Sequence, residues 1–151
     1  MGSLFSITKK IAVFLKKILI FLLILFLGAF FAYLLIPSPA KTTRQFFLYL
    51  KNENYEKAYQ LIDGQYKKSR GSMERFTNEY ANAVVSGTRT QKVTIKGIQR
   101  VEGNSKQYIV HVTVRILYRG DMMDSDGSYL LEKIPGKGWK IVQNVSSIIK
   151  K

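Results

Sequence analysis

The 19 residues from Ile18 to Ile36 form an uninterrupted apolar run without a charged side chain. As an α-helix, this run would rise about 28 Å, close to the hydrocarbon thickness of a bilayer, about 30 Å. A helix that is apolar on every side is costly to keep in water, because no polar face meets the solvent. The segment Ile18–Ile36 is therefore predicted to be a single transmembrane helix.

A cleaved secretory signal is the alternative, with Ser38-Pro39-Ala40 as a small-residue cleavage site after a basic start. Against it, the apolar core of a signal peptide spans about 7–15 residues, and this run is longer. Lys16 and Lys17 also follow an earlier apolar stretch, Ile11 to Leu15, which suggests a helix that begins at the membrane interface. We expect a retained anchor, with cleavage after Ala40 as the alternative.

Basic residues favour one orientation of this anchor. Four lysines lie within residues 9–17, whereas Lys41 and Arg44 follow the apolar run closely. Because the side richer in lysine and arginine stays in the cytoplasm, residues 1–17 are predicted to be a cytoplasmic or interfacial segment. Residues 37–151 are then predicted to form an extracytoplasmic domain.

The charge of the chain indicates an affinity for anions. The net charge is +14, and all ten acidic residues follow the apolar run. Since 20 of the 24 basic residues also follow it, the domain alone carries +10. Anionic lipid, an anionic envelope polymer or an acidic protein face would suit this field, although lysine that merely keeps the domain soluble explains it equally well. The absence of cysteine excludes disulfides and thiolate metal sites.

Three helices are predicted at the start of the domain. Ser38 before Pro39, then Asn54, then Ser72 are good N-cap residues, and each precedes apolar residues at helical spacing. We expect these helices to end near Asn52, at Asp63-Gly64 and at Gly87.

Four antiparallel strands are predicted to follow. The first contains Val93 and Ile95 with a bulge at Gly97, and Gly103-Asn104 turns into the second. The second strand alternates strictly between an apolar face, with Val110, Val112 and Val114 at its centre, and a more polar one. A loop from Gly120 to Gly127 is expected to lead to a third strand over Ser128–Ile134. The turn Pro135–Gly138 leads to a last strand from Trp139 to about Ile148.

The predicted fold class is therefore α+β, with about three helices packed on a curved four-stranded antiparallel sheet behind the transmembrane helix. Five segments are distinctive in their order and spacing: Phe46–Leu50, Asn54–Tyr59, Met73–Phe76 after Ser72, Leu131–Lys133 and Gly138–Val142. Through them the chain from Pro39 to Ile148 resembles nuclear-transport-factor-2-like (ketosteroid-isomerase-like, cystatin-like) domains. The resemblance implies a cone with a cavity at its wide end, and a single membrane anchor in many small bacterial members. Such a fold determines shape and leaves the activity open.

No catalytic, metal or cofactor site is predicted. His111, the one histidine, has no evident carboxylate neighbour and is a poor candidate for a general base. The aspartates between Gly120 and Gly127 lack the spacing of a calcium loop, so a hairpin tip explains them better. We therefore expect a protein that is not an enzyme.

Two binding hypotheses remain. In the first, the domain is a scaffold or accessory subunit of a membrane or cell-envelope complex, or forms a homodimer, and binds a protein partner through the outer sheet face at His111, Arg115 and Arg119. An ordinary solvated face is the alternative for these residues, and nucleic-acid binding is not favoured because aromatic residues do not alternate with the basic ones. In the second hypothesis, a small ligand or isomerase substrate occupies a pocket between helices and sheet. Its predicted lining is Tyr49, Tyr59, Tyr80 and Tyr108.

Overall fold

The computed structural model describes residues 15–28 and 37–145. The chain divides into two units, Met1–Ile36 and Pro37–Lys151. In the first unit, residues 15–28 form a helix, α1, whose large apolar side chains are all exposed. No helix in the described part of the chain is long and apolar enough to cross a membrane. The rest of the predicted span, residues 29–36, lies outside the described residues, as do residues 1–14 of the predicted basic segment.

Four helices begin the second unit, and three of them start at the predicted N-caps. The side chains of Ser38, Asn54 and Ser72 each accept a hydrogen bond from a backbone N–H in the first turn that follows. The helices are α2 (Pro39–Lys51), α3 (Tyr55–Gln60), α4 (Gly64–Arg70) and α5 (Met73–Val85).

The helix α4 was not predicted, and the expected role of Asp63-Gly64 as a helix end is wrong. The carboxylate of Asp63 accepts a 2.8 Å hydrogen bond from the N–H of Gly64 and serves as the N-cap of α4. An Asp-Gly pair suits a turn as well as a helix start, so this local pattern does not distinguish the two.

The sheet has four antiparallel strands in the order of the chain. Register shifts interrupt the first pair between Thr90 and Lys92 and between Ile95 and Gly97, so the predicted bulge lies beside Gly97. The fourth strand ends before the predicted Ile148, and residues 146–151 lie outside the described residues. The strands are β1 (Thr88–Arg100), β2 (Gln107–Tyr118), β3 (Asp121–Ile134) and β4 (Gly138–Asn144).

The expected loop from Gly120 to Gly127 is wrong, because β3 already begins at Asp121. The turn consists of Arg119 and Gly120, which both have positive φ, 51° and 97°. Two such residues make a tight turn whose twist suits a hairpin. The Asp126-Gly127 pair therefore lies within a strand and not at its tip.

The core lies between α2–α5 and one face of the sheet. The predicted apolar face of β2 is confirmed, because Val110, Val112 and Val114 are buried. They meet aromatic side chains of the helices, among them the fully buried Phe46 and Phe76. The predicted α+β class with a four-stranded antiparallel sheet is thereby confirmed.

The segment between α3 and α4 pairs with the outer edge of β4. Ile62 forms an isolated parallel bridge with Ile141. The N–H of Ile141 donates to the carbonyl of Leu61, and the N–H of Asp63 donates to the carbonyl of Ile141, both at 2.9 Å. This short connection thus adds a piece of backbone to the sheet and fixes where α4 begins.

Candidate functional site

A cavity of about 240 Å³ lies between the helices and the sheet, at the end of the domain where α5 passes into β1. Helices α2, α3 and α5 form one wall, and strands β1, β2 and β3 form the other. Its lining residues are Phe47, Leu50, Tyr55, Tyr80, Ala83, Val84, Thr88, Thr90, Val114, Ile116, Ser125 and Tyr129.

Three tyrosines, Tyr55, Tyr80 and Tyr129, are among the residues that line this cavity. The rings of Tyr55 and Tyr80 stack with centroids 6.2 Å apart, and the ring of Tyr129 packs edge-on against Phe47 at 5.5 Å. Within the described residues, the buried hydroxyl of Tyr55 has no hydrogen-bond partner. A buried polar atom without a partner costs free energy that a bound acceptor would recover.

The three phenols remain protonated at neutral pH. Burial raises the pKa of Tyr80 and of Tyr129 far above the usual range, and the neighbouring Tyr66 phenol adds to both shifts. Burial also raises the pKa of Tyr55, with a further contribution from the charge of Glu53. Each hydroxyl can therefore donate a hydrogen bond, and none can act as a base near pH 7.

The remaining groups of the wall limit its chemistry further. Ser125, Thr88 and Thr90 add hydroxyls, and among the described residues that line the cavity there is no carboxylate, histidine or lysine. A site of this composition can hold an apolar molecule by a few hydrogen bonds. It offers no general base for proton abstraction.

Of the four tyrosines predicted for the pocket, only Tyr80 lines this cavity. Tyr59 instead donates from its hydroxyl to the carbonyl of Gly71 at 2.7 Å. Tyr49 lies beneath the ammonium of Lys57, and Tyr108 packs edge-on against Trp139.

Tyr55 and Tyr129 are the lining tyrosines that the sequence did not single out. The alternation of β3 carries a signal for Tyr129, because it lies two residues before the buried Leu131 and on the same face. For Tyr55 the signal is weaker, since the helical spacing of α3 marks it as buried without showing what its hydroxyl meets.

The predicted docking residues His111 and Arg115 lie on the outer face of β2, opposite β3. The guanidinium of Arg115 forms a two-pronged ion pair with the carboxylate of Asp124, at 2.8 and 2.9 Å. The Nδ1 atom of His111 lies 2.8 Å from the Ser128 hydroxyl. This face therefore carries cross-strand polar pairs and is less basic than the sequence alone implies.

Arg119 lies apart from these two residues, in the turn after β2. Its guanidinium lies 5.2 Å from the centre of the Tyr118 ring. The structure thus places His111 and Arg115 on one face of β2, each with its own partner on β3, and Arg119 at the end of the strand.

Two aspartates of β3, Asp124 and Asp126, bond side chains of β2. Asp126 accepts a hydrogen bond of 2.6 Å from the hydroxyl of Thr113, next to the pair of Arg115 with Asp124. The Arg115 guanidinium holds the pKa of the Asp124 carboxyl below its usual range. In the described part of the chain, no three metal-ligating side chains converge on one point.

No protein-family model and no curated protein matches this sequence. Solved structures do share its fold. A SEC-C motif-containing protein from Rhodopseudomonas palustris aligns with a TM-score of 0.57 and 10% identity, over 71% of this chain and 77% of its own. A cystatin-like-fold domain of unknown function from Nostoc punctiforme aligns with a TM-score of 0.51 and 18% identity, over 72% and 76%.

A ketosteroid isomerase-like protein from Erwinia carotovora atroseptica aligns with a TM-score of 0.50 and 7% identity, over 70% of this chain and 88% of its own. These likenesses support a nuclear-transport-factor-2-like fold for the domain. At such low identity they concern the fold alone, and function must be argued from the residues of this chain.

Proposed function

We propose that this chain is a single-span membrane protein whose extracytoplasmic domain acts by binding, as a scaffold or accessory subunit of a membrane or cell-envelope complex. The observation that carries the proposal is α1, residues 15–28, in which every large apolar side chain is exposed. Leu19 and Phe26, for example, are 68% and 69% exposed. Exposed apolar surface of this extent marks a membrane or protein contact.

The amino-acid sequence stays apolar beyond residue 28, in the direction that an anchor needs. The charge-free run continues from residue 28 to Ile36, while Lys16 and Lys17 mark its beginning. Lysine side chains at such a boundary reach the headgroups while their stems stay in the apolar layer. Together these features favour a span over Ile18–Ile36 with a cytoplasmic N-terminus.

Binding is favoured over catalysis by the composition of the sites. The cavity is lined by hydroxyl groups and apolar side chains, without a group that titrates near neutrality. On the outer face, Arg115 is held by Asp124, so it is positioned to make polar contacts and is poorly placed to transfer a proton. Both sites suit recognition more than chemistry.

Membrane integration can be tested by alkaline extraction of membranes from cells that express the full chain. The variant Leu25→Arg with Leu27→Arg places two charges at the middle of the apolar run, each costing about 2.5–3.5 kcal/mol at the centre of a span. It should leave the membrane fraction. Val85→Arg with Ile98→Arg, at exposed positions of the domain, is the matched control and should remain. Extraction of the unmodified chain would overturn the anchor.

Orientation can be tested because the chain lacks cysteine. A membrane-impermeant maleimide should label Ser105→Cys in intact cells, and Ser3→Cys only after lysis. The reverse pattern would place the domain in the cytoplasm. Intact-mass measurement of the same material decides between a retained anchor and a chain that begins at Lys41.

Docking through the outer sheet face predicts a specific pattern of partner capture. Arg115→Glu with Arg119→Glu should lose a partner that co-purifies with the unmodified chain in mild detergent. Exchange of the ion pair, Arg115→Asp with Asp124→Arg, keeps the pair but alters the surface, and should lose the partner too. Unchanged capture by both variants would remove this face from the proposal.

Ligand binding is the second candidate function, favoured by the Tyr55 hydroxyl that has no partner in the described residues. The neutral fluorophore N-phenyl-1-naphthylamine can serve as a probe of the cavity. Ala83→Phe should fill the cavity and abolish its fluorescence enhancement, while Ala81→Phe, on the same helix but absent from the lining, should retain it. Equal enhancement in both variants would argue against an accessible pocket.

A further inference from the structure

A groove of about 330 Å³ between α2 and β1 has a basic rim and an apolar floor. No carboxylate is among the described residues that line it. Four cations form its rim: Lys41, Arg44, Lys51 and Lys92. The apolar side chains of its floor are Phe47, Leu48 and Val93.

The sequence of α2 produces this arrangement. Lys41, Arg44, Leu48 and Lys51 are spaced by three and four residues, which places them on one stripe of the helix, while Phe46 on the other stripe is buried. Leu48 is 51% exposed, a large apolar side chain among cations.

The irregularity of β1 completes the groove. The register shift between Thr90 and Lys92 leaves Gln91 outside the regular pairing with β2. The carbonyl of Gln91 accepts a hydrogen bond of 2.9 Å from the ammonium of Lys51. This contact ties the end of α2 to the strand beside the groove.

We propose that this groove binds the headgroup of an anionic phospholipid, an inference that rests on the proposed membrane anchor. Four basic residues around one apolar floor favour a phosphate group. The apolar floor gives the glycerol and the upper acyl chain a surface that a free phosphate ion would leave unused. The groove thus matches both parts of an amphiphile.

The chain itself limits how far the groove can be from the bilayer. Lys41 follows the end of the apolar run, Ile36, by five residues, which span at most about 18 Å when fully extended. In an anchored chain Lys41 therefore lies within reach of the headgroups, where a basic residue gains attraction to an anionic surface.

Native mass spectrometry of the full chain in detergent can test this proposal. Phosphatidylglycerol and phosphatidylcholine with the same acyl chains are added in turn, and the dissociation constants are compared. We expect the anionic lipid to bind at least about tenfold more tightly, since several cations each contribute. Arg44→Glu with Lys92→Glu should remove this preference. Arg100→Glu with Lys106→Glu makes the same charge change at the opposite end of β1 and should retain it.

Each result decides for or against the groove. Equal dissociation constants for the two lipids, or equal loss of preference in both double variants, would overturn it. If sn-glycerol 3-phosphate competes as effectively as the lipid does, the site binds a soluble phosphate, and the proposal of a lipid ligand is overturned. Circular dichroism of each variant verifies that the domain remains folded.

The measurement in detergent also separates this inference from the anchor. A chain that integrates into membranes but lacks the lipid preference would overturn only the proposal that the groove binds lipid. A chain that shows the preference in detergent but is extracted from membranes by alkali would overturn only the anchor.

Discussion

The indole nitrogen Nε1 of Trp139 donates a hydrogen bond of 3.2 Å to the carbonyl oxygen of Pro37. Trp139 lies at the start of β4, where its ring also packs edge-on against Tyr108, with centroids 5.4 Å apart. The residues that lead into α2 are therefore fastened to the last strand of the sheet. One side chain of β4 thus bonds the backbone just before α2.

Replacement of this side chain tests the fastening. Trp139→Phe keeps an aromatic ring beside Tyr108 but removes the donor, and should lower the free energy of unfolding by about 1 kcal/mol. Chemical denaturation measures this difference. Circular dichroism is the signal to follow, because the variant lacks the only tryptophan and its fluorescence. Tyr118→Phe, at an exposed strand end, is the control and should change the value little. Equal values for both variants would show that the bond to Pro37 does not stabilise the domain.

Two tyrosine hydroxyls with opposite surroundings should respond oppositely to removal. Tyr55→Phe deletes a buried hydroxyl without a partner in the described residues, so it should leave the free energy of unfolding unchanged or raise it by up to about 1 kcal/mol. Tyr59→Phe deletes the donor to Gly71 and should lower it by about 1 kcal/mol. Thermal unfolding of the two variants side by side gives the comparison. Destabilisation by Tyr55→Phe would mean that its hydroxyl has a partner.

The N-cap of α4 should contribute to acid sensitivity. The N–H of Gly64, and less strongly Lys137, hold the pKa of Asp63 below its usual value. A carboxyl with a lowered folded pKa stabilises the protein above its unfolded pKa, about 3.9, and this contribution is lost as the pH falls through the folded pKa. Asp63→Asn preserves a capping side chain but cannot titrate. The stability difference between the unmodified chain and this variant should therefore shrink below about pH 4.

Denaturation curves between pH 2.5 and 7 measure that difference. Lys137→Gln is the matched variant. It removes the smaller cause of the lowered Asp63 pKa and leaves the hydrogen bond from the Gly64 N–H. Most of the pH dependence should persist in it. A difference that stays constant with pH in Asp63→Asn would contradict the assignment.

Two glycines of the sheet should tolerate alanine very differently. Gly120 has φ of 97° in the β2–β3 turn, a conformation that costs an alanine about 1–2 kcal/mol. Gly97 has no such φ, and a methyl group there would meet His111 at 3.8 Å, an ordinary contact. Gly120→Ala should lower the midpoint of urea unfolding, and Gly97→Ala should move it little. If both substitutions lower the midpoint equally, the positive φ of Gly120 is not the cause of the lost stability.

The elements with strong local signals could be predicted from the sequence. Ser38, Asn54 and Ser72 cap helices because a short hydroxyl or amide can bond the free N–H groups of the next turn. The buried face of β2 followed from its strict alternation, which is confirmed by Val110 and Val112. Such patterns depend on neighbours in the chain, so the chain alone reveals them.

Features that depend on distant partners could not be predicted. Asp124 and Asp126 seemed to belong to a loop because their own segment is polar, yet they lie in β3 opposite Arg115 and Thr113. Cross-strand pairs of this kind stabilise a strand whose own residues favour turns. The lining of the cavity was missed for a similar reason, because helical spacing shows that a tyrosine is buried but does not show what its hydroxyl faces.

The bridge between Ile62 and Ile141 also bears on how this protein behaves at high concentration. An uncovered edge strand offers its free N–H and C=O groups to any other extended chain, which is a common route to aggregation. Here the N–H and C=O of Ile141, at the middle of β4, are already bonded to Leu61 and Asp63. Copies crowded along a surface are thereby hindered from adding strand to strand at this edge.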